Sequence, residues 1–129
     1  MVLEASHFTP SILLTQYELY CAGNFWMKDA PGFFEKIKRE LSRVAAPRYC
    51  IRIVIENIHS SAFQQLFDFL RYIHLRLSFK EFESCQVFIY YRQDDTDTEG
   101  LLKEVIELTP LELHVFALPE RNPYQFKQP

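Results

Sequence analysis

Ile51-Arg52-Ile53-Val54-Ile55-Glu56-Asn57-Ile58-His59-Ser60-Ser61 is the stretch on which the fold turns. A β-branched run breaks into polar residues, and an amphipathic helical pattern follows. Branched side chains suit a pleated strand and lose rotamer freedom in a helix. The run alternates less than a half-exposed strand would, as expected of one covered by helices. Its polar end sets hydroxyls beside exposed amides at the positive end of a helix dipole, a place where a phosphate can sit.

Working outward, residues 61–77 read as a helix, with Ala62, Leu66, Phe69, Leu70, Ile73 and Leu77 on one face. Residues 12–14 and 17–22 flank Thr15-Gln16 as a short hairpin that Gly23-Asn24 ends. Asp29 can cap a helix with Pro31 in its first turn, where the missing N–H costs nothing. Phe33, Phe34, Ile37, Leu41 and Val44 follow at helical spacing, and Pro47 closes the segment. The strand around the opening stretch spans 49–56. Residues 85–91 read as a strand, 97–108 as a helix and 111–118 as a last strand. Single helices between strands imply right-handed crossovers and parallel pairing. The expected fold is α/β: a small mixed sheet, an N-terminal hairpin plus parallel strands formed by the last three, with helices packed on it. Loops after the strands then share one edge, where such sheets usually bind.

The chain has 129 residues, 48% of them hydrophobic and 24% charged, enough for one domain with a real core. A single domain over residues 1–118 is expected, followed by a flexible tail over 119–129 that holds Pro123 and Pro129. The net charge of −3 offers nothing to neutralise nucleic-acid phosphates, so no nucleic-acid partner is expected. No apolar run approaches the ~20 residues of a membrane span. The first residues, Glu4 and His7 among them, lack the basic-then-apolar order of a signal peptide. Cys21, Cys50 and Cys85 are odd in number and set in apolar contexts, which reads as buried free thiols in a reducing cytoplasm.

Three clusters carry chemistry. In the first, Ser61-Ala62-Phe63-Gln64 fits a capping box with Ser61 as N-cap, leaving His59 and Ser60 just outside the helix. A phosphoryl group on Ser60 would add about −1.5 to −2 charge near free amides; His59 reads equally as an exposed loop residue. The second is the acidic loop Asp94-Asp95-Thr96-Asp97-Thr98-Glu99-Gly100. Counted from Asp95 it begins like a calcium loop, but its twelfth position is Ile106 where a bidentate Glu is required. Thr96 to Glu99 is itself a capping box, and the alternative reading of Asp94, Asp95 and Asp97 is an acidic contact surface. In the third, Phe25-Trp26-Met27 should lie in a loop, either folded under as a lid or exposed as an interface patch. Phe63 and Phe67 widen the apolar face of the long helix, as in a central or partner-binding helix, and would permit a homodimer.

Catalytic signatures are missing. His7, His59, His74 and His114 are scattered, no His or Cys pair has zinc-site spacing, and the three glycines are isolated. No cofactor, metal or enzymatic activity is expected. A catalytic group of Ser60, His59 and Asp94 or Asp95 would need those side chains within hydrogen-bond reach.

The order of elements, the serine pair after the long strand and the acidic loop resemble the SiaC family of small bacterial phosphoproteins, whose fold is akin to STAS domains. The matching segments are Thr9-Pro10-Ser11-Ile12, Gly23, Ser60-Ser61 and Tyr90-Tyr91-Arg92-Gln93-Asp94-Asp95-Thr96-Asp97. The resemblance implies a threonine in an Asn-Thr-Ser-Ser turn, phosphorylated by a partner kinase and released by a partner phosphatase. The unphosphorylated form would bind and activate a diguanylate cyclase in control of biofilm formation. This chain departs from the pattern at the threonine, where it has His59, and at the asparagine, where it has Ile58 after Asn57. Met27-Lys28-Asp29 stands for the family's Pro-Glu-Asn, Ile89 for an aromatic, and Gly100 near a glutamate. Either His59 or Ser60 takes the phosphate, with Ser61 the third candidate acceptor, or partner binding alone is retained. The expected function is a non-enzymatic, partner-binding regulatory protein, docking through Asn57 to Ser61, the adjoining helix and the acidic loop. The alternative is a small-ligand-binding module on the same edge, with the Phe25-Trp26 region as its pocket.

Overall fold

The β-branched run lies at the middle of the longest strand. The structure, a computed structural model, describes residues 1–119. In chain order its elements are β1 (Val2–Leu3), β2 (Ser11–Leu14), β3 (Glu18–Phe25), α1 (Ala30–Leu41), β4 (Arg48–Ile58), α2 (Ser60–Ser78), β5 (Ser84–Arg92), α3 (Thr96–Leu108) and β6 (Leu113–Leu118). The sheet is six-stranded and its spatial order is the chain order, β1 to β6. β1, β2 and β3 pair antiparallel, whereas β3–β4, β4–β5 and β5–β6 are parallel.

That order decides where the helices go. Each crossover advances one strand in the same direction, and right-handed crossovers then place every helix on the same face. Burial follows the pleat: Leu19 and Cys21 of β3, Ile51, Ile53 and Ile55 of β4, and Val87 and Ile89 of β5 all point into the helix layer. They form one core with Phe34, Ile37 and Leu41 of α1, Leu66, Phe69, Leu70 and Ile73 of α2, and Leu102 and Val105 of α3. Aromatic rows mark the opposite face, where Phe88 stacks on His114 at 4.9 Å and Tyr90 on Phe116 at 5.3 Å.

The mixed α/β architecture is the expected one, with instructive differences. The parallel part includes β3 as well as the last three strands, because α1 is itself a crossover. β3 does not stop at Gly23 but runs on to Phe25, and the two-residue β1 adds an edge strand that no period-2 pattern could reveal. α1 ends at Leu41, six residues before Pro47, and Val44 reaches the core from the following turn. α2 starts one residue early, at Ser60. The tail expected over 119–129 lies, from residue 120 on, outside the described residues.

One buried cation ties the helix layer together at the far end from the strands' carboxyl termini. Arg76, 6% exposed near the end of α2, donates to the Leu41 carbonyl at 2.6 Å and the Val44 carbonyl at 3.0 Å. Its Nε donates to Glu81 at 2.6 Å, and its guanidinium lies 4.1 Å from the centre of the Phe82 ring. The last carbonyl of α1, which also accepts from the Val44 N–H at 2.9 Å, and the Val44 carbonyl of the following turn thereby gain a charge-assisted donor. Arg76→Leu strips the donor from both carbonyls while Glu81, half-exposed, returns to water. The Leu41 carbonyl keeps the Val44 N–H, so the Val44 carbonyl is the acceptor left unsatisfied. A loss of about 1–3 kcal/mol is expected, read from the urea midpoint at unchanged slope.

The three cysteines are free. Burial pushes the Cys85 thiol up to about 12 from an ordinary 9.0 and raises Cys21 further, while the half-buried Cys50 is raised less by the same cause. Because the folded-state values lie above the unfolded ones, the folded state keeps this contribution in full below pH 9.0 and loses it as pH rises through about 12. In native protein a thiol reagent should modify Cys50 first, with Cys21 and Cys85 reacting only after urea unfolding. Stability should fall on titration above pH 9.0.

Candidate functional site

The parallel strands β3, β4, β5 and β6 end on one edge, and the ends of β3, β4 and β5 with the turns leaving them gather the polar residues. A bulge prepares the site: Gly23 pairs with Ile55 but Asn24 pairs with Asn57, so Glu56 is an extra residue in β4. Gly23 has φ +136°, and a Cβ there would lie 3.2 Å from the Pro10 backbone, so glycine is required at the kink. The shift aligns two amides. Asn57 Nδ2 donates to Asn24 Oδ1 at 2.8 Å, and Asn24 Nδ2 donates to the His7 carbonyl at 3.0 Å. From the other side Arg92 Nη1 donates to Asn57 Oδ1 at 3.4 Å and grips Asp94 with two bonds, at 3.1 and 2.7 Å. A string of Asn24, Asn57, Arg92 and Asp94 therefore crosses the ends of three strands. The Arg92–Asp94 pair is about two-fifths exposed, so its role is placement; exposed pairs contribute at most ~1 kcal/mol.

The turn from β4 into α2 corrects the capping assignment. His59, not Ser61, is the N-cap: its backbone is extended, and the Ser61 N–H donates to its Nδ1 at 3.3 Å. Ser61 Oγ lies 3.0 Å from the same nitrogen. A ring that accepts through Nδ1 carries its proton on Nε2. Asn and Asp are the usual caps because a short side chain reaches the second amide; the imidazole does so here with Nδ1 in their oxygen's place. Ser60 is thus the first residue of α2. Its side chain is exposed and makes no hydrogen bond among the described residues. Trp26, half-exposed, meets the His59 ring edge-on at 6.4 Å. The His59 N–H donates to the Phe25 carbonyl at 3.1 Å, which binds the two strand ends together.

The acidic loop is divided by its own caps. Asp95, rather than Thr96, caps α3: its Oδ1 accepts from the Thr98 N–H at 3.1 Å and its Oδ2 from the Thr98 hydroxyl at 2.6 Å. Asp97 and Glu99 occupy the first turn, where the dipole favours them. Glu99 accepts from the Tyr91 hydroxyl at 3.0 Å and pairs with Lys103, and these partners hold its carboxyl below the ordinary range. Among the expected site residues the structure brings together Asn57, His59, Ser60, Ser61, Trp26 and Asp94. Phe25 is not among them: it is fully buried at the end of β3 and presents no contact surface. Phe63 and Phe67 lie one and two turns along α2, toward α3, rather than at the edge. Asn24 and Arg92 were absent from the sequence-based set. The bulge that recruits Asn24 is signalled only by an isolated glycine inside a strand.

No hydrogen bond joins Ser60, His59 and Asp94 or Asp95 among the described residues: His59 faces Ser61 and Asp95 faces Thr98. No group of three His, Cys, Asp or Glu side chains is arranged to hold a metal among the described residues. No described helix is long and apolar enough to cross a membrane. His59→Ala should cost about 1 kcal/mol through the lost cap, while His59→Asn should restore most of it. Paired urea melts of the two variants check this.

No protein-family model matches the chain, and no curated relative matches it by sequence. Solved structures do. Apo-SiaC from Pseudomonas aeruginosa superposes with a TM-score of 0.70 at 14% identity, covering 91% of this chain and 98% of the other. The complex of the diguanylate cyclase SiaD with its activator SiaC, from the same organism, contains a chain that matches with a TM-score of 0.75 at 12% identity. That match covers 92% of this chain and 99% of the other. The fold expected from the resemblance is the fold present: over about nine-tenths of its length the chain has the architecture of SiaC.

Proposed function

We propose that this chain is a non-enzymatic regulatory protein that binds partner signalling proteins through the carboxyl edge of its sheet, with phosphate on Ser60 as the switch. The observation that carries this reading is the exposed, unengaged Ser60 hydroxyl at the amino end of a 19-residue helix. It belongs to a chain with the fold of a protein solved in complex with the cyclase it activates. A phosphoryl group there brings about −1.5 to −2 charge to amides at the positive end of the dipole, so it would be held locally. It would also change the charge met by a partner on an edge that already displays Asp94 and Asp97. His59 is the weaker acceptor because its Nδ1 caps α2, and the Ser61 hydroxyl is engaged with that nitrogen. The proposed partners are a kinase and a phosphatase that set the phosphate and a diguanylate cyclase that reads it, in a bacterial cytoplasm.

Incubation with the genomic-neighbour kinase, followed by mass-spectrometric mapping, should place the phosphate on Ser60, and Ser60→Ala should abolish it. Ser60→Glu should shift affinity for the captured partner by about tenfold, equivalent to ~1.4 kcal/mol of changed complementarity. Phosphate absent from Ser60, His59 and Ser61 alike would leave an unswitched binding protein.

A further inference from the structure

α1 packs directly against α2, but between α2 and α3 the helix layer opens into a groove of about 350 Å³. One wall presents Phe63 and Phe67 from α2; the other presents Leu101, Val105 and Leu108 from α3. These are i, i+4 and i, i+4, i+7 rows, each one stripe of a helix. Phe63 and Val105 form the buried floor, while Leu108 stands 71% exposed at the rim. Beyond the apolar rows, the charged lining residues are Asp68 on α2 and Glu104 on α3, both exposed carboxylates, with no lysine or arginine in the lining among the described residues.

We infer that this groove docks an amphipathic helix of a partner protein, one carrying apolar anchors at helical spacing flanked by lysine or arginine. Ridges of side chains on such a helix fit the channel between two helices, and helix-in-groove recognition reads i, i+3 or i+4, and i+7 anchors. Carboxylates on both walls select a basic flank and repel an acidic one. An apolar floor with rim charges of one sign separates this occupant from a charged small molecule, which would lack anchors for the phenylalanines. The inference rests on the partner-binding reading above but not on the phosphate.

A display library of helix-forming peptides of about 16 residues, selected on the full chain, tests it. The selected sequences should combine spaced apolar residues with Lys or Arg. Their affinity should fall about tenfold or more on Asp68→Lys with Glu104→Lys, and again on Leu108→Ser. All three positions are exposed, so the variants should keep the wild-type melting curve. Ser60→Ala should leave peptide affinity unchanged, which separates the groove from the phosphate switch. Failure to select any peptide, selection of acidic ones, or indifference to both variants would overturn the groove even with phosphate mapped to Ser60. So would a concentration-dependent dimer abolished by Leu108→Ser, since a second copy would then be the occupant.

Discussion

The constraint on which everything else depends is the handedness of the crossovers. A strand order that never reverses sends α1, α2 and α3 to the same face of the sheet. A doubly wound sheet places its binding crevice where strand order reverses; here there is no reversal. The edge at the strand ends is consequently a line of turns rather than a cleft. The cavity between α2 and α3 and another beside the β2–β3 turn both lie away from the Asn57–Ser60 turn.

The polar residues of that edge are divided between structure and display. Asp95 and His59 are consumed as caps, Asp94 and Asn57 are held by Arg92, and Ser61 is engaged with the imidazole. Ser60 is left displayed, because the first position of a helix points its side chain away from the amides that the cap satisfies. The same turn thus fixes α2 on the sheet and presents one hydroxyl. That separation leaves the Ser60 hydroxyl outside the contacts that hold the helix start.

Much of the fold is legible in the chain itself. The branched run of β4, the apolar stripe of α2 and Asp29 with Pro31 at the start of α1 carry their own local signals, and each element stands close to its expected place. Boundaries were less legible where a side chain outside the usual cap repertoire did the capping. The Ser61 to Gln64 capping box matched by pattern, but the imidazole two residues earlier caps the helix instead. Likewise Thr96 yielded to Asp95, whose carboxylate takes both the Thr98 amide and its hydroxyl. Phe25, read as loop, is the buried end of a strand because the Gly23 kink continues pairing with β4 rather than ending it.

By itself the sequence determined the alternation of strands and helices, the apolar faces that meet in the core and the turn that carries Asn57, His59 and Ser60. Those follow from side-chain periodicity and backbone preference, which are local. Tertiary structure alone decided that β3 joins the parallel sheet, that Asn24 and Arg92 converge on Asn57, and that Phe63 and Phe67 face α3 across a groove. Each depends on pairing register and helix placement, which bring together residues more than thirty positions apart in the chain. No local pattern encodes that distance.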